Sequence, residues 1–326
     1  MVCSRLGAAA ALLAVAGAVG VSACGGSASK KSSSATSPAA TEQSQAFPKA
    51  LGQPLQELAA NRPQGPNLAP ANSVLRPGSN RFGFALFDSA NKQLSGAPVA
   101  LYTAGADGSN ARGPFPAHSE SLAVKPQFAS RTSAQDPDSA KSVYVANIPL
   151  GPARGHVVWA LARLDGRLVG SSVAQVMVGG RGPPPPGAPA PRVHTPTSPP
   201  TPIASIDTRV PPSSLHSVDF ANVVGRKPAL LVFATPRLCM SRTCGPVVDE
   251  AQQLQATYGK RMAFIHMEVF KNNEVDQGYR PQLKAWGLQT EPWVFAIDRR
   301  GRIAAELEGP VSVAEIQRAI EKALRP

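Results

Sequence analysis

Cysteine is scarce, with four residues in a chain of 326, too few to staple a protein of this size into a disulfide scaffold. Long apolar runs are scarcer still. Only the N-terminus has one approaching membrane length, which excludes a multi-span membrane protein. Acidic side chains are in short supply, 21 against 33 basic ones for a formal charge of +12. The excess is weighted towards the residues before 202. A solvated basic surface is the default meaning; close to a membrane the same bias would favour anionic headgroups. No nucleic-acid recognition motif accompanies it, which argues against a nucleic-acid partner. What the chain does have is 43% hydrophobic residues, enough for globular cores. Its 33 prolines and 28 glycines are spread unevenly, so ordered blocks should alternate with open stretches. At about 150 residues per domain, the length accommodates two domains with tails and linkers.

Residues 1–23 read as a secretory signal, with Arg5 in a short basic region and small apolar residues from Ala8 to Val21. Val21-Ser22-Ala23-Cys24-Gly25 follows, and a small-residue run ending at a cysteine resembles the lipobox of bacterial lipoproteins. The resemblance implies that Cys24 is diacylated, by palmitate-like chains, and becomes the first residue of the mature chain. Two acyl chains suffice for stable anchoring. The expected place is therefore the cell membrane, lipid-anchored, on the extracytoplasmic face within the cell envelope. The alternative is an ordinary signal cleaved nearby, leaving Cys24 a free thiol. Such a thiol would be a liability in an oxidising compartment. Cys3 leaves with the signal, so Cys239 and Cys244 remain as the possible thiols.

Residues 24–71 are rich in Ser, Ala, Pro and Gln without a sustained period, and are expected to form a disordered tether with a short helix around Pro54–Asn61. From 72 to 179 the character changes. Phe82/Phe84/Leu86, Val99/Leu101, Val143/Val145, Val157/Trp159/Leu161 and Val176/Val178 sit at period two, with turn signals between them. Leu164-Asp165-Gly166-Arg167 is a hairpin signature, and 113–138 contains a long, poorly patterned loop. About seven short strands in this span suggest an all-β immunoglobulin-like sandwich. Residues 180–212, with four consecutive prolines at 183–186, predict a semi-rigid polyproline spacer.

From 213 to 326 strands and helices alternate. Strands are expected at 229–234, 262–269, 293–297 and 303–307, and helices at 246–258 and 277–286. A final helix opens at the capping-box pair Ser312 and Glu315. Leu231-Val232-Phe233-Ala234, then two cysteines, then Gly245-Pro246 opening a helix, resembles the thioredoxin superfamily. So does Thr290-Glu291-Pro292-Trp293-Val294-Phe295 further on. The resemblance implies an α/β thioredoxin-like domain with Pro292 as the cis-proline beside the redox cysteines. Departures are plain: the Cys-x-x-Cys becomes Cys239-Met240-Ser241-Arg242-Thr243-Cys244, and Val247 stands where the second cysteine belongs. No acid lies in strand 229–234, and Glu291 before Pro292 is unusual, since a carboxylate beside the thiols opposes thiolate formation.

The resemblance implies a thiol–disulfide oxidoreductase acting on extracytoplasmic protein disulfides or thiols, with no cofactor. Cys244 is favoured as attacking sulfur because a helix N-terminus stabilises a thiolate, with Cys239 resolving. Arg242, Gly245 and Pro246 support the turn. The reverse order of the cysteines stays open, as does a passive bond bracing the loop. One rival is a thiol peroxidase, disfavoured because Val232 and Pro236 stand at positions its motif requires. The other is an interaction module or copper carrier on the same scaffold. For a copper site the motif would be a Cys-x3-Cys, and His266 reads as an ordinary strand residue; His216 and His194 carry no spacing signal.

Overall fold

Period-two runs in the first half become antiparallel strands whose inward positions share one core. The computed structural model describes residues 47–325; the expected signal at 1–23, the lipidation residue Cys24 and the tether up to residue 46 lie outside the described residues. In chain order the elements are β1 (Ala50–Leu51), α1 (Leu55–Ala59), β2 (Asn67–Pro70), β3 (Gly78–Phe87), β4 (Gln93–Leu94), β5 (Val99–Gly105) and β6 (Arg112–Ser121). Then come α2 (Arg131–Gln135), β7 (Ser142–Leu150), β8 (Gly155–Leu164), β9 (Arg167–Gly170) and β10 (Ala174–Met177). The main strand order is β10-β8-β5-β6-β7-β3-β2. Strand β6 joins the two halves, because its residues 112–117 pair with β5 and its residues 118–121 with β7. Phe82, Phe84 and Ile148 from one half meet Leu101, Val158 and Val176 from the other in a single cluster. The hairpin at 164–167 forms as expected, with Asp165 at φ 48° and Gly166 at φ 75°.

Residues 47–71 depart from the expected tether, although the short helix expected around Pro54–Asn61 is present as α1. Strands β5 and β8 are apolar on both faces, so Ala100, Tyr102, Val157 and Trp159 point away from the shared core and need their own cover. Ala50, Leu55 and Leu58 supply it, and the Tyr102 hydroxyl donates to the Pro48 carbonyl at 2.7 Å. A low-complexity composition thus conceals a short amphipathic strap.

The second half contains α3 (Phe220–Val223), β11 (Ala229–Phe233), α4 (Cys244–Tyr258), β12 (Ala263–Met267), α5 (Pro281–Trp286), β13 (Trp293–Ile297), β14 (Ile303–Glu308) and α6 (Val313–Ala323). Its sheet runs β12-β11-β13-β14. Strand β11 is parallel to β12 and antiparallel to β13, and β13 is antiparallel to β14. Every residue of β11 is buried, as befits a central strand covered on both faces. Leu230 and Val232 pack under α4 and α6, whereas Leu231 and Phe233 meet Trp286 and Phe295 on the opposite side. The capping box of Ser312 and Glu315 is formed. Helix α5 is shorter than expected, since Pro281 starts it and Gly278, at φ 70°, breaks the chain before it.

The proline-rich stretch is not a free spacer. Gly187 and Ala190 donate backbone N–H bonds to Ile303 and Gly301, at 2.7 and 2.9 Å. Further on, Thr195, Asp207, Thr208 and Arg209 are buried. Proline removes some N–H groups from a chain but leaves its carbonyls and the amides of intervening residues free to dock. The two sheet systems are also joined directly. Arg81 makes a bidentate pair with Glu315 at 2.6 and 2.9 Å, Arg76 pairs with Glu306, and Ser73 and Val74 donate to the Glu308 carboxylate. Among the described residues no helix is long and apolar enough to cross a membrane.

Candidate functional site

Cys244 is the first residue of α4, and Cys239 lies in the loop leading to it. The two sulfurs are bonded, with their Cα atoms 6.0 Å apart. The opening turn of α4 has N–H groups without intrahelical carbonyls, so the helix end favours negative charge on the sulfur there. Both cysteines are well covered: Cys244 has no exposure and Cys239 5%, while Met240 between them is 97% exposed. Ser241 Oγ stands 3.2 Å from Cys239 Sγ and 2.9 Å from Thr243 Oγ1. Exposure therefore ranks Cys239 slightly ahead of Cys244, whereas the helix terminus favours Cys244 as the thiolate.

The loop between β6 and β7 covers one side of this turn. Arg242, at φ 56°, accepts from the Ala140 N–H at 3.2 Å and donates to Asp136 Oδ2 at 3.0 Å. Its charge is committed to that loop rather than aimed at the sulfurs. A Cβ on Gly245 would lie 2.5 Å from Ser133 Oγ, so the glycine lets α2 approach α4. Pro246 sits in the first helical turn, where a missing N–H costs nothing. Deeper in, Arg209 donates to Asp249 of α4 at 2.7 Å, and Ser130 N–H donates to the same carboxylate at 3.0 Å. On another side lies a cavity of about 470 Å³ lined by Phe84, Ser142, Ser241, Thr243, Glu291 and Glu308.

Opposite the cysteines the chain enters β13 through Glu291–Pro292, a cis bond. A Glu291 carboxylate oxygen and the two sulfurs all lie within 4.8 Å of one another. One carboxylate oxygen of Glu291 is buried with no hydrogen-bond partner. Burial, reinforced by the Glu268 charge, pushes this carboxyl up to about 8 against the opposing pull of the Thr235 backbone and His266. Glu268 accepts from Thr208 N–H and Oγ1 and from Thr235 Oγ1 at 2.6 to 2.8 Å. Burial raises it above the usual range too.

Behind Glu268 a second buried group gathers Asp207, His216 and His266. Asp207 accepts from His216 Nε2 at 3.0 Å and from Ser213 N–H at 2.6 Å. His266 Nε2 donates to the Ala234 carbonyl at 2.9 Å, which leaves Nδ1 facing Asp207 at 3.8 Å. Burial alone would lower His266, but the Asp207 carboxylate more than offsets it and carries the ring up to about 9. Burial works against ionised Asp207 as well, and the two histidines overcome it, holding the carboxyl well below its ordinary value. The donor set would suit a metal ion. Hydrogen bonds to His216 and Ser213 already occupy the carboxylate oxygen that would bind one.

The structure thus brings together Cys239, Cys244, Gly245, Pro246 and the Glu291–Pro292 step, and turns Arg242 outward; Cys24 is outside the described residues. Glu268, Asp207 and the role of His216 are missed by reading motifs. One signal was available: His266 and Glu268 alternate on one face of an otherwise apolar strand, where polar residues are expensive unless partnered.

No protein family and no curated protein matches the chain. Among solved structures, it is similar to a thioredoxin-family thiol:disulfide interchange protein from Chlorobium tepidum TLS. That match has 19% identity and a TM-score of 0.31, and covers 44% of this chain and 99% of the other. It is also similar to the human F-spondin reeler domain, at 9% identity and a TM-score of 0.20, over 38% of this chain and 99% of that one. Neither similarity is deep enough to bring a function with it.

Proposed function

We propose that this protein is a membrane-anchored, extracytoplasmic thiol–disulfide oxidoreductase of thioredoxin type, carrying an immunoglobulin-like sandwich beside its catalytic domain. One observation carries the reading. A bonded cysteine pair sits at the N-terminus of a helix that follows the central strand β11, facing the Glu291–Pro292 entry to its antiparallel neighbour β13. In the reduced state one cysteine attacks a disulfide of a protein partner as thiolate, and a mixed disulfide forms. The second cysteine then displaces the partner and restores the Cys239–Cys244 bond. Cys239 is the more exposed of the two residues and is assigned the first attack; Cys244 resolves. This reverses the order favoured from helix position alone, because a nucleophile must first be reached. The chemistry needs no metal, flavin or nucleotide. Cys24 is assigned the lipid anchor, and no nucleic acid takes part.

The second reading is a structural disulfide on a non-enzymatic module, and the burial of both cysteines favours it. Copper carriage is less well supported, because the third group within reach of the sulfurs is a carboxylate rather than an imidazole. Redox titration of the purified protein separates the first two readings. A midpoint above about −300 mV, with a mixed disulfide trapped by Cys244→Ser and not by Cys239→Ser, is expected of a working couple. A midpoint below that value with no trapped partner would leave the bond structural.

A further inference from the structure

We infer that Glu291 is the acid–base group of the cysteine couple, taking the proton of the Cys244 thiol as the disulfide closes and returning it when the bond is reduced. The inference deepens the oxidoreductase reading and rests on it for its catalytic meaning.

Geometry comes first. Glu291 is the carboxylate whose oxygen lies within 4.8 Å of both sulfurs. When the disulfide opens, each sulfur needs a partner or must be buried bare. Cys239 has Ser241 Oγ at 3.2 Å. Cys244 has no exposure, and the unpartnered oxygen of Glu291 is the buried acceptor of the same carboxylate. An ionised carboxylate there would repel a thiolate, the objection that its position in the sequence raises. Its surroundings remove most of that objection. Glu268 and His266 face it from the β12 side, the Thr235 backbone from the end of β11, and Glu308 lines the adjoining cavity from β14. In that setting the carboxyl titrates at about 8, so both of its forms are populated near neutrality and either can serve.

The steps balance. Cys239, having lost its proton to water, attacks the partner's S–S bond, and the first partner sulfur leaves as a thiolate that water protonates. Cys244 S–H then transfers its proton to the Glu291 carboxylate as its sulfur attacks Cys239 Sγ. The Cys239–partner bond breaks, and the second partner sulfur leaves as a thiolate and takes the proton from Glu291. Two electrons pass from the protein dithiol to the partner, and Glu291 ends as it began. Reduction of Cys239–Cys244 by an external dithiol runs the same steps backwards.

The test uses the full chain and its Glu291→Gln and Glu291→Asp variants. In single-turnover mixing of the reduced protein with a small aromatic disulfide, E291Q should close its disulfide at least about tenfold more slowly at pH 7, a typical loss for a general base. It should also lose the inflection near pH 8, while alkylation of Cys239 stays within about twofold. Glu291→Asp should restore part of the rate. An unchanged closing rate and pH profile in E291Q would overturn the inference. Difference infrared spectroscopy of the wild-type protein on reduction by a dithiol supplies a readout that needs neither a partner nor a folded Gln variant. A carboxyl band that shifts on reduction, as the new Cys244 S–H bonds to the carboxylate, and that moves in Glu291→Asp, supports the contact through which the proton passes. No such change overturns it. If the band changes but no disulfide partner is ever reduced, the oxidoreductase reading falls and the coupling of Glu291 to the thiols stands.

Discussion

A buried carboxyl and a buried imidazole give the protein a pH dependence of predictable sign. Glu291 titrates at about 8 in the folded chain against an ordinary 4.5, so folding favours its protonated form. That contribution is complete below about pH 4.5 and disappears as pH rises through 8. His266 titrates at about 9 against 6.5; its contribution is complete below about pH 6.5 and is lost through 9. Asp207 is held low, so its contribution is lost only on acidification below the ordinary carboxylate range. Burial holds His216 below its ordinary 6.5, so its contribution is lost on acidification below that value; the four groups together predict a decline in stability from about pH 7 towards pH 9. Thermal unfolding midpoints should fall steadily between those values, and a midpoint that rises would contradict the assigned protonation states.

At the level of the strap and the strands, cover matters more than propensity. The five-residue α1 is too short to be stable alone, and it is held because Leu55 and Leu58 close the outer face of β5 and β8. Leu58→Ala should therefore cost about 2–5 kcal/mol, the usual range for a buried leucine, and a urea titration would measure it. A loss under about 0.5 kcal/mol would mean that residues 47–62 do not cover this face of the sheet. Helix α6 illustrates the opposite case. Its Ser312–Glu315 capping box is local in sequence and is formed as the sequence predicts. Helix α4 lies between the two: the cysteine at its start is legible, but Asp249 and Glu250 inside it are buried against chain far away.

Across the whole molecule, the joint between the two sheet systems is made of polar side chains and close backbone contacts. Gly309 follows β14 at φ 76°, and a Cβ there would meet the Ala71 carbonyl oxygen at 2.5 Å. Backbone on both sides leaves little room to yield. Gly309→Ala should therefore destabilise the full chain by about 1–3 kcal/mol, the scale of left-handed backbone strain, and loosen the cavity beside the cysteines. Urea unfolding would give the loss, and protease sensitivity near residue 71 the loosening. A variant as stable as the parent would show that the two systems are not held together there. The expectation of two cores separated by a proline rod takes no account of this joint, because Arg81–Glu315 and Arg209–Asp249 are separated by 234 and 40 residues.

Much of the architecture follows from local pattern alone. Alternation of apolar residues specifies β3 and β7, an unbroken apolar run specifies β11, and Asp165-Gly166 specifies the tight hairpin between β8 and β9. The order of strands and helices after residue 229, and the cysteine opening α4, are likewise readable without coordinates. Local pattern shows which face of an element is apolar; it cannot show what will lie against that face. So the packing of 47–62 over β5 and β8, the docking of 187–190 on β14 and the burial of Arg242's neighbours under the β6–β7 loop emerged with the packed chain. The gathering of Glu291, Glu268, His266 and Asp207 behind the disulfide belongs with them. Those four come from three segments, since His266 and Glu268 lie two residues apart at the end of β12, and each looks like an ordinary polar residue until burial removes its water and leaves the others as its partners.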